Sequence, residues 1–319
     1  MLRRIVLPCL ASLAIYLTVF GLLFDRPLSL GMFRQLMDAK LARGASIEGR
    51  KLVIIAGSNG LYSHRCETME PLLGIPCVNA GVVVGIGLDY LFARWQALLH
   101  PGDIVYLPME EAQYVHTYAA TSVGPDAAIM FRHDWATLSR LSFGRTLGAA
   151  FAFDPRAALM SLIETTLVWS GFNDPRAGDV GTTNAWGDHV GHTAALGRAN
   201  AAHLATMLPF HQTASAIASG DGTAMIHDFI EWAEAHGVIV VGGLPAGYAR
   251  SPIPDATRDA IRTVYVTAGA HFIDLHDRYP PSAFFDTPDH LNEAAQIQHS
   301  ELLAAALAIT LAPAQAASR

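Results

Sequence analysis

Three kinds of side chain that together can transfer an acyl group lie at opposite ends of this chain. Ser58 comes directly after the apolar run Leu52–Ala56, in a turn of small residues. His290 lies near the other end, with Asp286 and Asp289 close to it in sequence. A serine that attacks a carbonyl carbon needs a histidine to take its proton and a carboxylate to orient that histidine. The sequence therefore predicts a serine nucleophile, on condition that the fold brings the two ends together.

The motifs around these residues resemble those of a known superfamily, the SGNH (GDSL-like) hydrolases and acyltransferases. Gly57-Ser58-Asn59 resembles its first block, and Asp286–Asn292 resembles its last block with one residue inserted. Leu107–Glu110 and Phe285–Asn292 are similar to a bacterial membrane-anchored branch of the superfamily. The resemblance implies a flavodoxin-like, SGNH-type domain that works through an acyl-serine intermediate, without a metal or another cofactor.

The identity of the acid depends on its spacing from the histidine. The superfamily usually places the acid three residues before the histidine, where this chain has Thr287. Asp286 lies four residues before His290 and Asp289 one residue before it. The Asp-Thr-Pro-x-His pattern of the anchored branch matches Asp286. We therefore predict Asp286 as the catalytic acid and keep Asp289 as the alternative.

The resemblance also implies groups that would stabilise a negatively charged oxygen in the transition state, beginning with Ser58 itself. Gly81 matches a glycine whose backbone N–H serves this oxyanion hole, and a glycine allows the close approach that is needed. Asn59 is either a hydrogen-bond donor beside the nucleophile or an ordinary turn residue. The asparagine of the third block is missing, and Glu110 stands at that strand end. A carboxylate there would repel the developing charge unless it were protonated or turned away, so we expect Glu110 to fix the substrate or the loop.

A pair of histidines gives a weaker indication of a metal site. His189 and His192 follow Asn184 and Asp188 in a polar segment, but no cysteine or regular carboxylate pattern accompanies them. The interpretation we prefer is a loop with solvated histidines.

Five short apolar runs alternate with helical patterns, which predicts a three-layer αβα domain around a five-stranded parallel sheet with right-handed crossovers. Ligands bind at the carboxyl ends of such strands, where Ser58 and Glu110 stand. The domain is predicted over residues 50–311, with a helical insertion at about 112–222 and a disordered tail at 312–319. The predicted strands are Leu52–Ala56, Pro76–Asn79, Ile104–Leu107, Val238–Gly243 and His271–Leu275. Helices are predicted over Leu61–Leu73, before the second strand, and over Glu293–Leu311, at the end of the domain.

The N-terminal segment is predicted to hold the protein in a membrane. Ile5–Phe24 carries no charge and is long enough to cross about 30 Å of hydrocarbon as a helix. A cleaved signal peptide is the alternative, but no small-residue cleavage site ends the segment. We therefore predict a single-pass signal anchor over residues 1–26 and a connector over 27–49. Arg3 and Arg4 place the amino terminus in the cytoplasm and the catalytic domain outside the inner membrane, in a periplasm where there is one.

Composition narrows the set of partners. The chain has 319 residues and a formal net charge of −7, with no basic run beyond Arg3-Arg4, so nucleic acid is excluded as a partner. Only 15% of the residues are charged, which fits a chain that is partly embedded in a membrane. Cys66 and Cys77 flank a predicted helix and strand, and the spacing allows either a disulfide or two buried thiols.

The resemblance implies an exported esterase or O-acyltransferase that acts on acylated cell-envelope or exopolysaccharide glycans. A membrane acyltransferase would then be a partner that supplies the acyl group. The competing hypothesis is a catalytically degenerate SGNH domain that binds polysaccharide or forms part of an envelope complex. The missing asparagine and the irregular acid spacing favour this second hypothesis, whereas Ser58, Gly81 and His290 favour the enzyme.

Overall fold

The computed structural model describes most of the chain, and its residues fall into two compact units. The described residues are 2–23, 28–116, 130–131, 134–151, 155–172, 182–275 and 278–317. The first unit comprises Met1–Gln35 and Tyr118–Gly181, and the second comprises Leu36–Thr117 and Thr182–Arg319. The predicted insertion at about 112–222 is therefore divided between the two units, and its middle part belongs with the N-terminal segment.

The second unit contains a parallel five-stranded sheet, as predicted. All neighbouring strands of this sheet pair in parallel, in the order β2-β1-β3-β4-β6. Its strands are β1 (Leu52–Ile54), β2 (Cys77–Asn79), β3 (Ile104–Leu107), β4 (Ile239–Gly243) and β6 (His271–Ile273). The chain order reverses direction between β1 and β3, and in open α/β sheets ligands bind at such a switch point. A second, two-stranded sheet that the sequence did not predict pairs β5 (Gly247–Tyr248) with β7 (Arg278–Tyr279).

Helices make up most of the remaining described chain. They are α1 (Leu2–Leu23), α2 (Leu28–Ser46), α3 (Ser58–Ser63), α4 (Cys66–Leu73), α5 (Leu88–Gln96), α6 (Glu111–Val115), α7 (Trp135–Leu138), α8 (Phe143–Ala150), α9 (Pro155–Trp169), α10 (Ala194–Gly197), α11 (Ala201–Leu204), α12 (Ala214–Ser219), α13 (Asp221–Ala235), α14 (Asp255–Thr267) and α15 (Glu293–Ala317). Short 3-10 turns cover Val84–Ile86, Arg198–Asn200 and Pro281–Ala283. The last helix continues past Leu311, where we predicted its end.

Side chains on the two faces of the sheet pack against different helices. Leu52 and Ile54 of β1 lie in one apolar cluster with Leu303 and Leu307 of α15. On β4, a Cβ added at Gly242 would lie 2.2 Å from the Tyr265 ring of α14, so this strand and helix are in direct contact. Helices thus contact the sheet from both sides, which is consistent with a three-layer αβα arrangement.

The helix predicted over Leu61–Leu73 is in fact two helices, α3 and α4, which end and begin around His64 and Arg65. The His64 carbonyl accepts hydrogen bonds from the side-chain amides of Asn79 (2.9 Å) and Gln296 (3.1 Å). Because these distant partners take the carbonyl, the helix ends there. A disulfide between Cys66 and Cys77, with Cα atoms 5.2 Å apart, then joins the start of α4 to β2.

The first unit is helical where it is described. Tyr16 of α1 stacks on Phe151 with ring centroids 5.3 Å apart, and its hydroxyl donates to the Ala150 carbonyl at 3.3 Å. Large apolar side chains are exposed along α1 and α9, among them Leu22 (69%) and Trp169 (72%). Within the described ranges, the structure contains no helix that meets the length and apolarity expected of a membrane span.

Candidate active site

Ser58 is the first residue of α3, at the carboxyl end of β1 and beside the switch point between β1 and β3. The preceding residue must be small, because a Cβ at Gly57 would lie 2.6 Å from Val84 and 2.7 Å from the Glu110 carboxyl group. Gly57 thus lets the backbone turn sharply under Glu110 and presents the next side chain at the strand end. The Ser58 side chain is partly exposed, as a nucleophile must be.

His290 and Asp286 form the predicted pair. Nδ1 of His290 and Oδ1 of Asp286 are 2.7 Å apart, and the imidazole side chain is only 13% exposed. Partial burial raises the pKa of Asp286, but the hydrogen bond and charge of His290 outweigh this effect and hold that pKa below its ordinary value. An ionised Asp286 fixes the ring with the proton on Nδ1, so that Nε2 is the nitrogen available for chemistry.

The ring of His290 is held against the helix that begins with Ser58. It stacks on Tyr62 with centroids 4.1 Å apart and nearly parallel planes, and the Tyr62 ring also stacks on His189 at 4.3 Å. Ser58 and Tyr62 are four residues apart on α3, so their side chains share one face of that helix. The structure therefore brings His290 to the face of α3 that carries Ser58. Neither the Ser58 hydroxyl nor Nε2 of His290 forms a hydrogen bond with another described residue.

The loop that carries His290 is attached to the other end of the same helix. The Ser63 hydroxyl donates to the Asp289 carbonyl at 3.0 Å and accepts from the Leu291 backbone N–H at 3.3 Å. The Gln296 side-chain amide donates to the Leu61 carbonyl at 3.2 Å. These contacts explain how residues more than 200 positions apart in the sequence come to share a site.

Asp289, the alternative acid, does not contact Nδ1 of His290. Its carbonyl and amide groups are used by Ser63 and Thr287, and its carboxyl group lines a neighbouring cavity. Burial raises the pKa of Asp289 above its ordinary value, and Glu111 adds to the rise while His290 opposes it. The carboxyl group that orients His290 in this structure is that of Asp286.

Gly81 lies next to α3, but its amide is already engaged. Its N–H donates to Oδ1 of Asn79 at 3.0 Å. A Cβ at this position would lie 2.5 Å from the Leu61 amide nitrogen and 2.8 Å from the Gly60 carbonyl carbon. A glycine is thus required for α3 to pack against the end of β2. The role of Gly81 as an oxyanion donor stays a prediction, because a substrate oxygen would compete with Asn79 for the same N–H.

Asn59 and Glu110 connect the turn that carries Ser58 to the end of β3. The Asn59 side-chain amide donates to the Pro108 carbonyl at 2.7 Å, and its backbone N–H donates to Oε1 of Glu110 at 3.2 Å. Burial raises the pKa of Glu110 to about 7, and the nearby Asp289 adds to the rise. The carboxyl group therefore holds the loop, as expected, and it is also partly protonated near neutral pH. A protonated carboxyl group is a hydrogen-bond donor rather than a source of repulsion.

The expectation of solvated histidines at 189 and 192 is wrong. His189 is 5% exposed and His192 1% exposed, and their Nδ1 atoms lie 3.0 Å apart. Burial lowers the pKa of His189 to about 3 and the pKa of His192 to about 4. The charge of His192 lowers the pKa of His189 further. Both rings are therefore neutral near pH 7. Both rings contact Tyr62: His189 stacks on it, and His192 meets it edge-on with ring centroids 5.3 Å apart. In the described part of the chain, no three metal-ligating side chains are grouped so that they could hold an ion.

A second group of a serine, a histidine and a carboxylate in contact was not predicted from the sequence. Nδ1 of His211 lies 2.7 Å from Oε1 of Glu111, and Nε2 lies 3.0 Å from Oγ of Ser251. However, Nε2 is also 3.1 Å from the Ser251 carbonyl oxygen, which can only accept a hydrogen bond. The ring is therefore placed to donate at Nε2, whereas a general base must accept there. Neither this contact nor the Tyr62 stack has a sequence motif, because the partners are brought together only by the fold.

Comparison with protein-family models, with curated proteins and with solved structures finds no match for this chain.

Proposed function

We propose that the second unit is a serine esterase or O-acyltransferase with Ser58 as nucleophile, His290 as general base and Asp286 as the acid that orients it. The observation that carries the proposal is the 2.7 Å hydrogen bond between Asp286 and His290, with that histidine stacked against the helix that Ser58 begins. Supporting it, the site stands at the sheet's switch point, where α/β proteins bind ligands.

In the proposed reaction, Oγ of Ser58 attacks the carbonyl carbon of an ester, and Nε2 of His290 takes the hydroxyl proton. The tetrahedral intermediate collapses, the carbon–oxygen bond to the alcohol breaks, and His290 returns the proton to the leaving oxygen. Water or a sugar hydroxyl then attacks the acyl-serine and gives its proton to His290, and Ser58 recovers a proton as it leaves. Hydrolysis and transfer differ only in this second acceptor.

Charge on the intermediate's oxygen needs donors near Ser58. The backbone N–H of Ser58 lies at the start of α3 and is one such donor, because the N-terminus of a helix favours negative charge. A protonated Glu110 is a further donor, since its carboxyl group contacts the same turn and its pKa of about 7 leaves part of it protonated. This group takes the place of the asparagine that the third block lacks.

The substrate we propose is an acylated glycan of the cell envelope or an exopolysaccharide, and the enzyme is proposed to act outside the inner membrane. The proposed signal anchor, over residues 1–26, rests on the uncharged run of the sequence that begins at Ile5, and a membrane acyltransferase is the proposed source of acyl groups for transfer. The Cys66–Cys77 disulfide supports an oxidising compartment, because disulfides persist there and are rare in the cytosol.

A second candidate function has one observation in its favour. The Gly81 amide donates to Asn79, so a backbone donor that the resemblance assigns to the oxyanion hole is occupied. This favours a degenerate domain that binds polysaccharide, or forms part of an envelope complex, without cleaving an ester.

The test is hydrolysis of an aryl acetate by the full chain in detergent, with variants that separate the roles. Ser58→Ala and His290→Ala should each lower kcat/KM by at least roughly 10³-fold, and Asp286→Asn by roughly 10²-fold or more, because the ring loses its orientation. Ser251→Ala is the matched control, since that serine also lies within hydrogen-bond distance of a histidine, and it should retain activity. Equal rates for wild type and Ser58→Ala would leave the binding function as the better account.

A further inference from the structure

A cavity of about 130 Å³ opens beside the candidate active site, within the second unit. Pro288 and Asp289, which line it, immediately precede His290, and Glu110, which also lines it, accepts the N–H of Asn59. The loop after β4 forms another part of the wall. A group bound in this cavity would therefore lie next to the bond that the Ser58–His290 pair acts on.

One wall of the cavity is held by hydrogen bonds between its own groups. Glu111 accepts from the Gln212 backbone N–H at 2.7 Å and pairs with His211, whose other ring nitrogen contacts Ser251. These contacts within the protein fix the shape of this wall.

Two other lining groups remain for a ligand. The Asp289 carboxyl group forms no hydrogen bond with any described residue, although the side chain is not fully exposed. Phe210 lines the cavity and is 83% exposed, so its ring offers an open apolar face. The lining includes no lysine or arginine. An acidic ligand would therefore meet carboxyl groups without a cation to offset them.

We propose that this cavity binds an uncharged, hydroxyl-rich ring, the chemistry of a neutral sugar, and rejects sugars that carry a carboxylate. Carboxyl oxygens accept hydrogen bonds from sugar hydroxyls, and an exposed aromatic ring covers the apolar face of a pyranose. The inference rests on the proposed function, since it assigns the cavity to the alcohol part of the ester.

The protonation of the lining acids agrees with this preference. Burial raises the pKa values of both Glu110 and Asp289. An added carboxylate would raise them further and lose affinity, whereas a neutral hydroxyl group hydrogen-bonds to either protonation state.

The experiment measures binding without catalysis, so that its failure differs from failure of the proposed enzyme. Full-chain Ser58→Ala protein is titrated with methyl glucoside and with methyl glucuronoside near neutral pH, and binding is followed by saturation-transfer NMR. We expect the glucoside to bind roughly tenfold more tightly than the glucuronoside or more, because the glucuronoside carboxylate makes one unfavourable charge contact with the lining acids. Equal or tighter binding of the glucuronoside, or no binding of either, would overturn the inference while leaving the ester hydrolysis test unaffected.

Variants locate the binding. Phe210→Ala should weaken glucoside binding several-fold, whereas Leu208→Ala, at a neighbour that is also exposed (66%) but lies outside the cavity lining, should leave it unchanged. Asp289→Lys should make the protein bind the glucuronoside more tightly than the glucoside. Asp289→Asn, a milder change, should reduce the difference in affinity between the two glycosides. Unchanged selectivity in both Asp289 variants, in protein that still binds a glycoside, would place the binding elsewhere.

Discussion

Tyr62 lies between two imidazole rings, and at the scale of single residues it is the contact that fixes His290 in position. It stacks on His290 at 4.1 Å and on His189 at 4.3 Å. The hydrogen bond to Asp286 fixes one edge of the His290 ring, but a ring held only at one edge can still rotate. The stack with Tyr62 restricts that rotation.

The prediction for Tyr62 separates ring stacking from its hydroxyl group. Tyr62→Leu should lower kcat roughly tenfold with little change in KM, because a misplaced base slows the chemical step without removing substrate contacts. Tyr62→Phe keeps the stack and should restore kcat to near the wild-type value. Steady-state kinetics on the aryl acetate measures both parameters. A matching loss in the Leu and Phe variants would show that the hydroxyl group, and not the stacking, is what matters.

Glu110 gives a pH dependence of stability whose sign follows from its raised pKa. The pKa is about 7 in the folded protein and ordinarily 4.5, so the folded state holds a proton that the unfolded chain has lost. Its contribution to stability is complete below the unfolded value and is lost as pH rises through about 7. Comparison with Glu110→Gln cancels the other titrating groups. From about pH 5 to about pH 8, the free energy of unfolding of the wild type should fall by roughly 2 kcal/mol relative to the variant.

Chemical denaturation of both proteins at the two pH values measures this difference. A constant difference between wild type and Glu110→Gln would mean that the Glu110 carboxyl group stays ionised throughout. It would also remove the protonated donor from the proposed mechanism.

At the scale of elements, the packing of α3 against the end of β2 sets the position of Ser58. At Gly81 the two are in close contact, because a Cβ added there would lie 2.5 Å from the Leu61 amide nitrogen, which is less than a van der Waals distance. The neighbours are backbone atoms of Gly60 and Leu61, which cannot move aside as the end of a flexible side chain could. The helix that begins with Ser58 therefore depends on a glycine in the loop after β2.

Gly81→Ala should destabilise the protein by roughly 2–3 kcal/mol, because the added methyl group forces α3 away from the sheet. Gly144→Ala is the control: this helical glycine has no atom closer than 3.9 Å to an added Cβ, so alanine should be neutral or slightly stabilising. Denaturant titration of the two variants gives the comparison. Equal stabilities would show that α3 has room to shift at little cost.

How far the sequence predicts these elements depends on whether the signal is local. The five strands were found because short apolar runs bounded by glycines and turn residues are local patterns. The break at His64 was missed because it is caused by Asn79 and Gln296, which are remote in sequence. Likewise, the local pattern Asp-Thr-Pro-x-His indicated Asp286, whereas nothing in the sequence joins Ser251 to His211 across 40 residues.

At the scale of the whole molecule, the chain's apolar surface is concentrated in the first unit as far as it is described. Exposed apolar side chains occur along α1 and again on α8 and α9, for example Phe143 (79%) and Leu159 (57%). The sequence indicated a membrane segment only at the N-terminus, and the later helices were predicted as part of the insertion at about 112–222. Their grouping with residues 1–35 is a tertiary feature without a sequence pattern of its own.

The proposed signal anchor is tested by cell fractionation of the full chain. We expect it to sediment with membranes and to stay in the pellet after alkaline carbonate extraction, because an inserted helix is held by hydrophobic burial rather than by charge. A peripheral protein of the same cells serves as the control for extraction. Release of the full chain by carbonate would contradict the proposed anchor.

The most direct test of the central claim is to map the adduct formed by a fluorophosphonate probe. Full-chain protein is treated with the probe, digested, and analysed by peptide mass spectrometry. The proposed mechanism predicts a phosphonyl group on Ser58, absent in Ser58→Ala and strongly reduced in His290→Ala, with Ser251 unmodified. A folded protein that carries no adduct at Ser58, or that carries it at Ser251, would contradict the assignment of Ser58 as the nucleophile.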